Sequence, residues 1–380
     1  MTRHRNARAA SAPSLPRTPG RRATPSRAPL SRRRLLGGGA AGALGLVLAA
    51  CSGSSGSAGS TPGSTVTVVT HDSFNVSEEL ITAFTSQTGY ELSIVNSGDA
   101  GALVNKLILT KDAPLGDAVF GIDNTYASRA LAEGIIDDSA APALPDGAEE
   151  LLIEGSSALA PIDMGDVCLN IDTAYFKDKG LTAPAAFEDL TRSEYKDLLV
   201  AIDPSTSSPG MAWMLATIGH FGADGFADYW KQLVANGARI DSGWTDAYYT
   251  DFTAGGGQGA YPIVVSYASS PSYTLTDDGS ATTTAALLET AFRQVEYAGV
   301  LAGASNPEGG RAFVEWMLST EVQEDIPGQM YMYPVNRQAS LPEELERFGP
   351  LADKPIEVSA ADITANREDW LMTWTEAVGK

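Results

Sequence analysis

Short β-branched runs alternating with helical patterns constrain this chain more than any other feature. Residues 65–70 (T-V-T-V-V-T), 91–95 and 117–122 read as strands, because β-branched and apolar residues dominate each. Between them, a helix opens with Asn75 and Glu78 in capping-box spacing and stops at Gly89, and a second covers 102–110. Another helical pattern follows the third strand and ends at Gly134. Strands alternating with helices of this length predict an α/β fold with a mainly parallel sheet. Two of the three strands end in polar, acidic clusters, His71-Asp72-Ser73 and Asp123-Asn124. In open α/β sheets, ligands bind beyond the carboxyl ends of strands, so these clusters are candidate site residues.

The pattern changes after residue 136. A loop rich in Asp, Ala and Pro runs to about 150, and a strand-like stretch over 158–171 then carries Pro161, Asp163 and Gly165. A strand interrupted in this way suits a crossing from one lobe to another. Alternation resumes with a strand at 199–202, which ends in D-P-S-T-S-S-P-G (203–210). Ser208 and Pro209 there are spaced as an N-cap and a first helical residue. Hydroxyls at a helix N-terminus suit an anion, and they equally suit a well-capped helix. Helices are expected over 211–236, 244–252, 306–324 and 361–377, with strands at 261–267 and 293–300 and a short extended piece at 329–335.

The N-terminus reads as a targeting segment rather than as part of the fold. Residues 1–50 hold ten arginines and no acidic residue, and the run S-R-R-R-L-L leads into a Gly/Ala/Leu stretch that ends at Cys51. Paired arginines before a short apolar run suggest a twin-arginine export signal. Leu48-Ala49-Ala50-Cys51 resembles a lipoprotein cleavage site, which would leave Cys51 as the lipid-bearing residue. Residues 51–64, mostly Ser and Gly, then form a flexible tether. The only other cysteine is Cys168, so lipidation of Cys51 would leave no disulfide within the chain. Of the formal net charge of −21, the ten leader arginines account for +10, which leaves −31 on residues 51–380. So acidic a body excludes nucleic acid, whose binding needs a basic face. It fits a cationic ligand, and it fits general solubility equally well.

Residues 241–273 concentrate aromatic rings: Trp244, Tyr248, Tyr249, Tyr261, Tyr267 and Tyr273 lie among Asp residues and small side chains. Rings that keep a polar tip suit the wall of a wet cleft, although an aromatic sheet edge would share the composition. Other chemistry is poorly supported. The chain has no Walker A, G-x-G-x-x-G, EF-hand or G-x-S-x-G pattern, and His71 and His220 are isolated from each other and from Cys residues in sequence. Cys168, between Val167 and Leu169, reads as a small buried apolar residue before it reads as a nucleophile.

The motifs V-V-T-H-D-S-F, F-G-I-D-N, D-P-S-T-S-S-P-G, G-W-T-D-A-Y, V-S-Y-A-S-S-P-S-Y and M-Y-P-V occur in that order from about residue 65 to the C-terminus. In this the chain resembles the thiamine-binding proteins of bacterial ABC importers. The resemblance implies a two-lobed type II periplasmic-binding fold with a two-strand hinge and a ligand enclosed between the lobes. It places lobe 1 at 65–163 plus 297–345, lobe 2 at 164–296 and a C-terminal helical segment at 346–380. It also implies a monomer that docks on an ABC permease, no cofactor and no catalysis. Carried over by motif, Trp244, Tyr248 and Tyr267 would stack on the ligand. Asp72, Asp123 and Asp163 would face its charge, with His71, Ser73, Ser270 and Tyr331 beside them. Ser207 would meet the hydroxyethyl arm or a phosphate on it. The chain departs from the family at His71, where Tyr is common, and at Tyr331, where Trp is common. It departs again at Ser205, where an Arg is common, and this weakens the case for phosphorylated thiamine. Within the same fold, a polyamine or a ferric ion is the alternative ligand, Tyr267 with Tyr261 or Tyr273 imitating an iron site. A thiaminase-like enzyme using Cys168 ranks last.

Overall fold

A computed structural model describes residues 65–139, 141–256 and 259–380. The export signal, the tether and Cys51 lie outside the described residues. The chain begins as the alternation predicts. Strand β1 (Thr65–Thr70) leads to α1 (Glu78–Thr88), β2 (Glu91–Asn96), α2 (Ala100–Leu109), β3 (Ala118–Asp123) and α3 (Ala127–Ala132). Gly89 takes the left-handed conformation and ends α1, as expected. The expected capping box does not form: Ser77 precedes the helix, and the Asn75 side chain instead donates to Gln329 Oε1 at 2.6 Å.

Next comes β4 (Ala160–Asp172), followed by α4 (Thr173–Lys179), β5 (Leu199–Ile202), α5 (Ser208–Phe221), α6 (Phe226–Ala235) and β6 (Arg239–Asp241). The single turn α7 (Trp244–Asp246) continues as a π-turn through Asp251. β7 (Ile263–Tyr267) and β8 (Thr284–Val300) follow, then α8 (Pro307–Met317), α9 (Thr320–Met330), β9 (Tyr333–Pro334), α10 (Glu343–Phe348) and α11 (Ala360–Val378). The helix expected over 306–324 is broken at Leu318-Ser319, and Gln329 and Met330 belong to α9 rather than to an extended piece. β8 begins nine residues before the expected start, in a stretch whose Thr and Ala content carries little periodic signal.

All strands join one mixed sheet, in the order β2-β1-β3-β8-β4-β7-β5-β6, with β9 paired to β4. β2, β1 and β3 are parallel, as are β7, β5 and β6. Antiparallel pairing is confined to the middle, where β8 meets β3 and β4, and β4 meets β7. The two flanks are therefore the parallel α/β units that the alternation predicts, and β4 and β8 run through both. At about 3.3 Å per residue, the 17 residues of β8 span roughly 55 Å.

The ladder between these long strands is irregular. Its register slips between Pro161 and Asp163 and again between Val167 and Leu169. At the second slip Thr290 fills the gap, accepting from Leu169 N at 3.0 Å and donating to Leu287 O at 2.8 Å. Bulges of this kind bend a strand and re-aim its side chains.

Two apolar clusters flank the sheet. One packs Val66, Val68 and Phe120 against Phe84, Phe313 and Trp316. The larger centres on Trp213 and Trp230, with Trp374 of α11 set edge-on to Trp230 at 5.5 Å. Full burial of rings this size dominates the hydrophobic stabilisation of that half.

Candidate functional site

The first side of the site is made by strand ends. The chain leaves β1 at His71, whose Nδ1 accepts from Ser73 N at 3.1 Å, while Nε2 lies 3.5 Å from Glu296 Oε1 of β8. Burial alone would lower the His71 pKa, but the carboxylates of Glu296, Asp99 and Asp72 outweigh it and the net shift is upward. Gly121 makes room for the ring. Its φ is +98°, and a Cβ there would fall 2.0 Å from His71 Cδ2.

Asp123 ends β3 and is wholly buried. It accepts from Thr125 N and Thr125 Oγ1, at 3.0 and 2.7 Å, and from the Ser208 hydroxyl. Burial pushes its carboxyl up to about 6. Asp163 of β4 is also wholly buried, opposite Glu296 in the ladder, and neither of its carboxyl oxygens has a hydrogen-bond partner among the described residues. Burial, and then the neighbouring Glu296, drive its pKa well above the ordinary carboxylate value.

The second side is aromatic. Trp244 stands at the first position of α7 and stacks on Tyr248 one turn later, with centroids 5.1 Å apart and planes 17° from parallel. Trp244 Nε1 donates to Ser266 Oγ at 2.9 Å, and Ser266 shares a 2.9 Å hydrogen bond with Ser270. That chain of hydroxyls fixes the indole plane. Tyr267, at the end of β7, meets Trp244 edge-on at 6.2 Å and donates to Gln294 Oε1 at 3.2 Å. Tyr331 closes α9 in a left-handed conformation, φ 64°, and packs on Tyr273 with centroids 4.3 Å apart. A non-glycine residue held there is a strained position, and such strain concentrates at functional sites.

These elements enclose a cavity of about 280 Å³. His71, Asp72 and Ser73 line it from one side, and Trp244, Tyr248, Tyr267, Ser270 and Tyr331 from the other. Asp123, Asp163 and Ser207 do not line it. Asp123 instead tethers the turn after β3 and reaches Ser208. Asp163 lies beside Glu296 in the ladder, wholly buried. Ser207, and not Ser208, is the N-cap of α5, accepting from Gly210 N at 3.3 Å. Tyr261, offered as a metal ligand, is absent from the lining, and the hydroxyls of Tyr267 and Tyr273 are engaged by Gln294 and Pro327 O. Cys168 is fully buried beside Ala268 and Ala291, away from the cavity, and burial pushes its thiol up. Neither property suits a nucleophile.

Sequence reasoning missed Asp99 and Glu296 as site residues, and both line the cavity, together with Ser208 of the hydroxyl-rich turn and Tyr249 of the aromatic stretch. Glu296 had a usable signal, a lone acid between Val295 and Tyr297 in an otherwise buried strand. Asp99 had none beyond that of an ordinary N-cap. It caps α2 by accepting from Ala100 N at 2.7 Å. Its two carboxylate oxygens also accept from Ser208 N and Trp244 N, each at 3.1 Å. Enclosure raises its pKa, and those two N–H groups oppose the rise.

Chemically, the cavity offers stacked rings on one wall and carboxylates on the other. Asp72, Asp99 and Glu296 line it, and among the described residues no Lys or Arg does. That combination suits a flat cation, held by ring faces worth ~0.5–2 kcal/mol each and by countercharge in a weakly screened space.

Comparison with known proteins agrees with this geometry. The family model for bacterial extracellular solute-binding proteins matches residues 117–348. The thiamine-binding periplasmic protein of Escherichia coli K12 is 28% identical, over 83% of this chain and 94% of its own length. The protein of the same description from Haemophilus influenzae is 27% identical, over 74% of this chain and 80% of its own length. Among solved structures, a periplasmic thiamin binding protein superposes with a TM-score of 0.72 at 26% identity, covering 83% of this chain and 96% of that one. Iron-bound HitA from Pseudomonas aeruginosa superposes at 0.63 with 18% identity, over 82% of this chain and 99% of its own, which shows a shared fold alone.

Proposed function

The chain belongs to the bacterial extracellular solute-binding protein family, and on that premise we propose that it captures thiamine between two lobes and delivers it to the permease of an ABC importer. The observation that carries the reading is the pairing of the Trp244–Tyr248 stack with Asp72, Asp99 and Glu296 across one cavity. Thiamine combines a permanent cation with flat heteroaromatic rings, and each wall answers one of those properties. Relatives described as thiamine-binding, aligned over most of both chains, support the same ligand.

In this proposal lobe 1 comprises residues 65–163 and 297–345, lobe 2 comprises 164–296, and β4 and β8 are the hinge. His71, Asp72, Ser73, Trp244, Tyr248, Tyr267, Ser270 and Tyr331 contact the ligand. Asp123, Asp163 and Ser207 support those that do. Ligand adds contacts available only when the lobes meet, and so shifts the population toward the closed form that docks on the permease. The N-terminal pattern supports export by the twin-arginine route and anchoring through a lipid on Cys51 outside the cytoplasmic membrane, and action as a monomer is the expectation carried by the family resemblance.

Native mass spectrometry of the purified protein, with and without added thiamine, tests the reading. A single adduct of thiamine mass is expected. A protein that takes up no thiamine, while binding a polyamine or ferric ion, contradicts it.

A further inference from the structure

We propose that Asp99 determines which charge form of the ligand is accepted. As an internal anion seated on the N-terminal amides of α5 and α7, it reserves the site for a cation that carries no phosphate. The inference rests on the thiamine reading above and narrows it.

An anion entering this cavity would need donors or a countercharge. The N-terminus of α5 is the natural place to look, because Ser208 and Pro209 line the cavity there and helix N-termini favour negative charge. Its donors are already engaged. Ser208 N donates to Asp99 Oδ1, Pro209 has no N–H, and Gly210 N donates to Ser207 Oγ. The start of α7 is engaged in the same way, Trp244 N donating to Asp99 Oδ2.

No countercharge replaces those donors. Among the described residues, Asp72, Asp99 and Glu296 line the cavity without any Lys or Arg, and His71, the only basic group there, faces Glu296 at 3.5 Å. A phosphate would have to break two hydrogen bonds to Asp99 and then sit beside three carboxyl groups. Like charges brought this close repel strongly, whereas a cation gains from the same arrangement.

The contact is also built closely. A Cβ on Gly101, the second residue of α2, would fall 2.7 Å from the Thr206 carbonyl carbon and 2.6 Å from Tyr126 Oη. Ala102 N donates to Thr206 O at 3.1 Å, and Tyr126 Oη donates to Pro204 O at 2.8 Å. Asp99 therefore sits in a seam where α2 lies directly on the turn before α5, which holds its carboxylate on the amides of Ser208 and Trp244.

Calorimetric titration of thiamine and thiamine monophosphate into the wild-type protein, Asp99→Asn and Asp99→Ser decides the matter. Asn and Ser are both good N-caps, so α2 and the fold should survive in each. Asn removes the charge and one acceptor, and Ser is too short to reach Trp244 N. The wild type is expected to prefer thiamine by at least about tenfold, and each folded variant to narrow that gap by at least about tenfold. A wild type that binds both forms within tenfold overturns the exclusion. A gap left intact in the variants overturns the role of Asp99. A wild type that binds neither form overturns the thiamine reading beneath both, which is a separate result.

Discussion

Asp163 shows what happens to a buried carboxyl whose nearest polar partner is another carboxyl group. It is wholly buried beside Glu296, and both causes raise its pKa well above the ordinary value. A carboxyl raised in the folded state contributes stability that is complete below its unfolded pKa of about 4 and is lost as pH rises through its folded value. Stability should therefore fall from pH 4 upward through this group. Asp163→Asn keeps the shape and removes the charge, so in thermal melts its Tm should exceed the wild type's at pH 8 by about 3 °C or more, the difference closing toward pH 4. A wild type whose Tm is no lower than the variant's at pH 8 counts against the assignment. His71 gives a second pH effect. Its raised pKa keeps it cationic to higher pH than a free imidazole, and that charge opposes a bound cation. Thiamine affinity should weaken as pH falls from 8 to 6, and His71→Asn should flatten that dependence in fluorescence titrations; an equal slope in both proteins is the contrary result.

At the scale of elements, the strands on either side and their polar ends were legible because β-branched runs and periodic helices leave a strong pattern. The His71 cluster, the Trp244 turn and the end of β7 all line the cavity, since each sits where a predicted strand or helix terminates. What the pattern does not carry is pairing. Asp123 and Asp163 look like ligand groups in sequence, yet the register of β4 against β8 sets Asp163 beside Glu296, wholly buried and off the cavity lining, and Ser208 engages Asp123. Asp99 reads as a helix cap until α2 is laid against α5 and α7. The close approach of Gly121 to the His71 ring has a cost that can be measured. Gly121→Ala adds a Cβ at positive φ against the His71 ring, so denaturant titration should show a loss of about 1–3 kcal/mol with weaker thiamine binding. An alanine variant as stable as the wild type would show that His71 has another place to go.

Across the whole molecule, two parallel α/β units are strung on two long antiparallel strands, and the carboxyl ends of their strands face one cavity. In this arrangement closure rests on a few cross-seam bonds, from Asp99 to Ser208 and Trp244 and from Tyr126 to Pro204. Small-angle X-ray scattering should therefore report a smaller radius of gyration with saturating thiamine than without. Superimposable curves would mean that the lobes are already closed or do not move. A net charge of −31 outside the leader draws a cationic solute inward at long range, and salt screens that steering more than it screens the enclosed site.

The Trp244–Tyr248 stack facing the carboxylates is the centre of the reading, and calorimetry on the wild type beside Trp244→Ala tests it most directly. Removing the indole should cost about 1–3 kcal/mol, from lost ring contact and lost cation–π attraction, and so weaken binding by about fivefold to over a hundredfold. One thiamine per wild-type chain, with affinity reduced by at least about fivefold in the variant, is the predicted result. Unchanged affinity in Trp244→Ala, or no thiamine binding by the wild type, would contradict it.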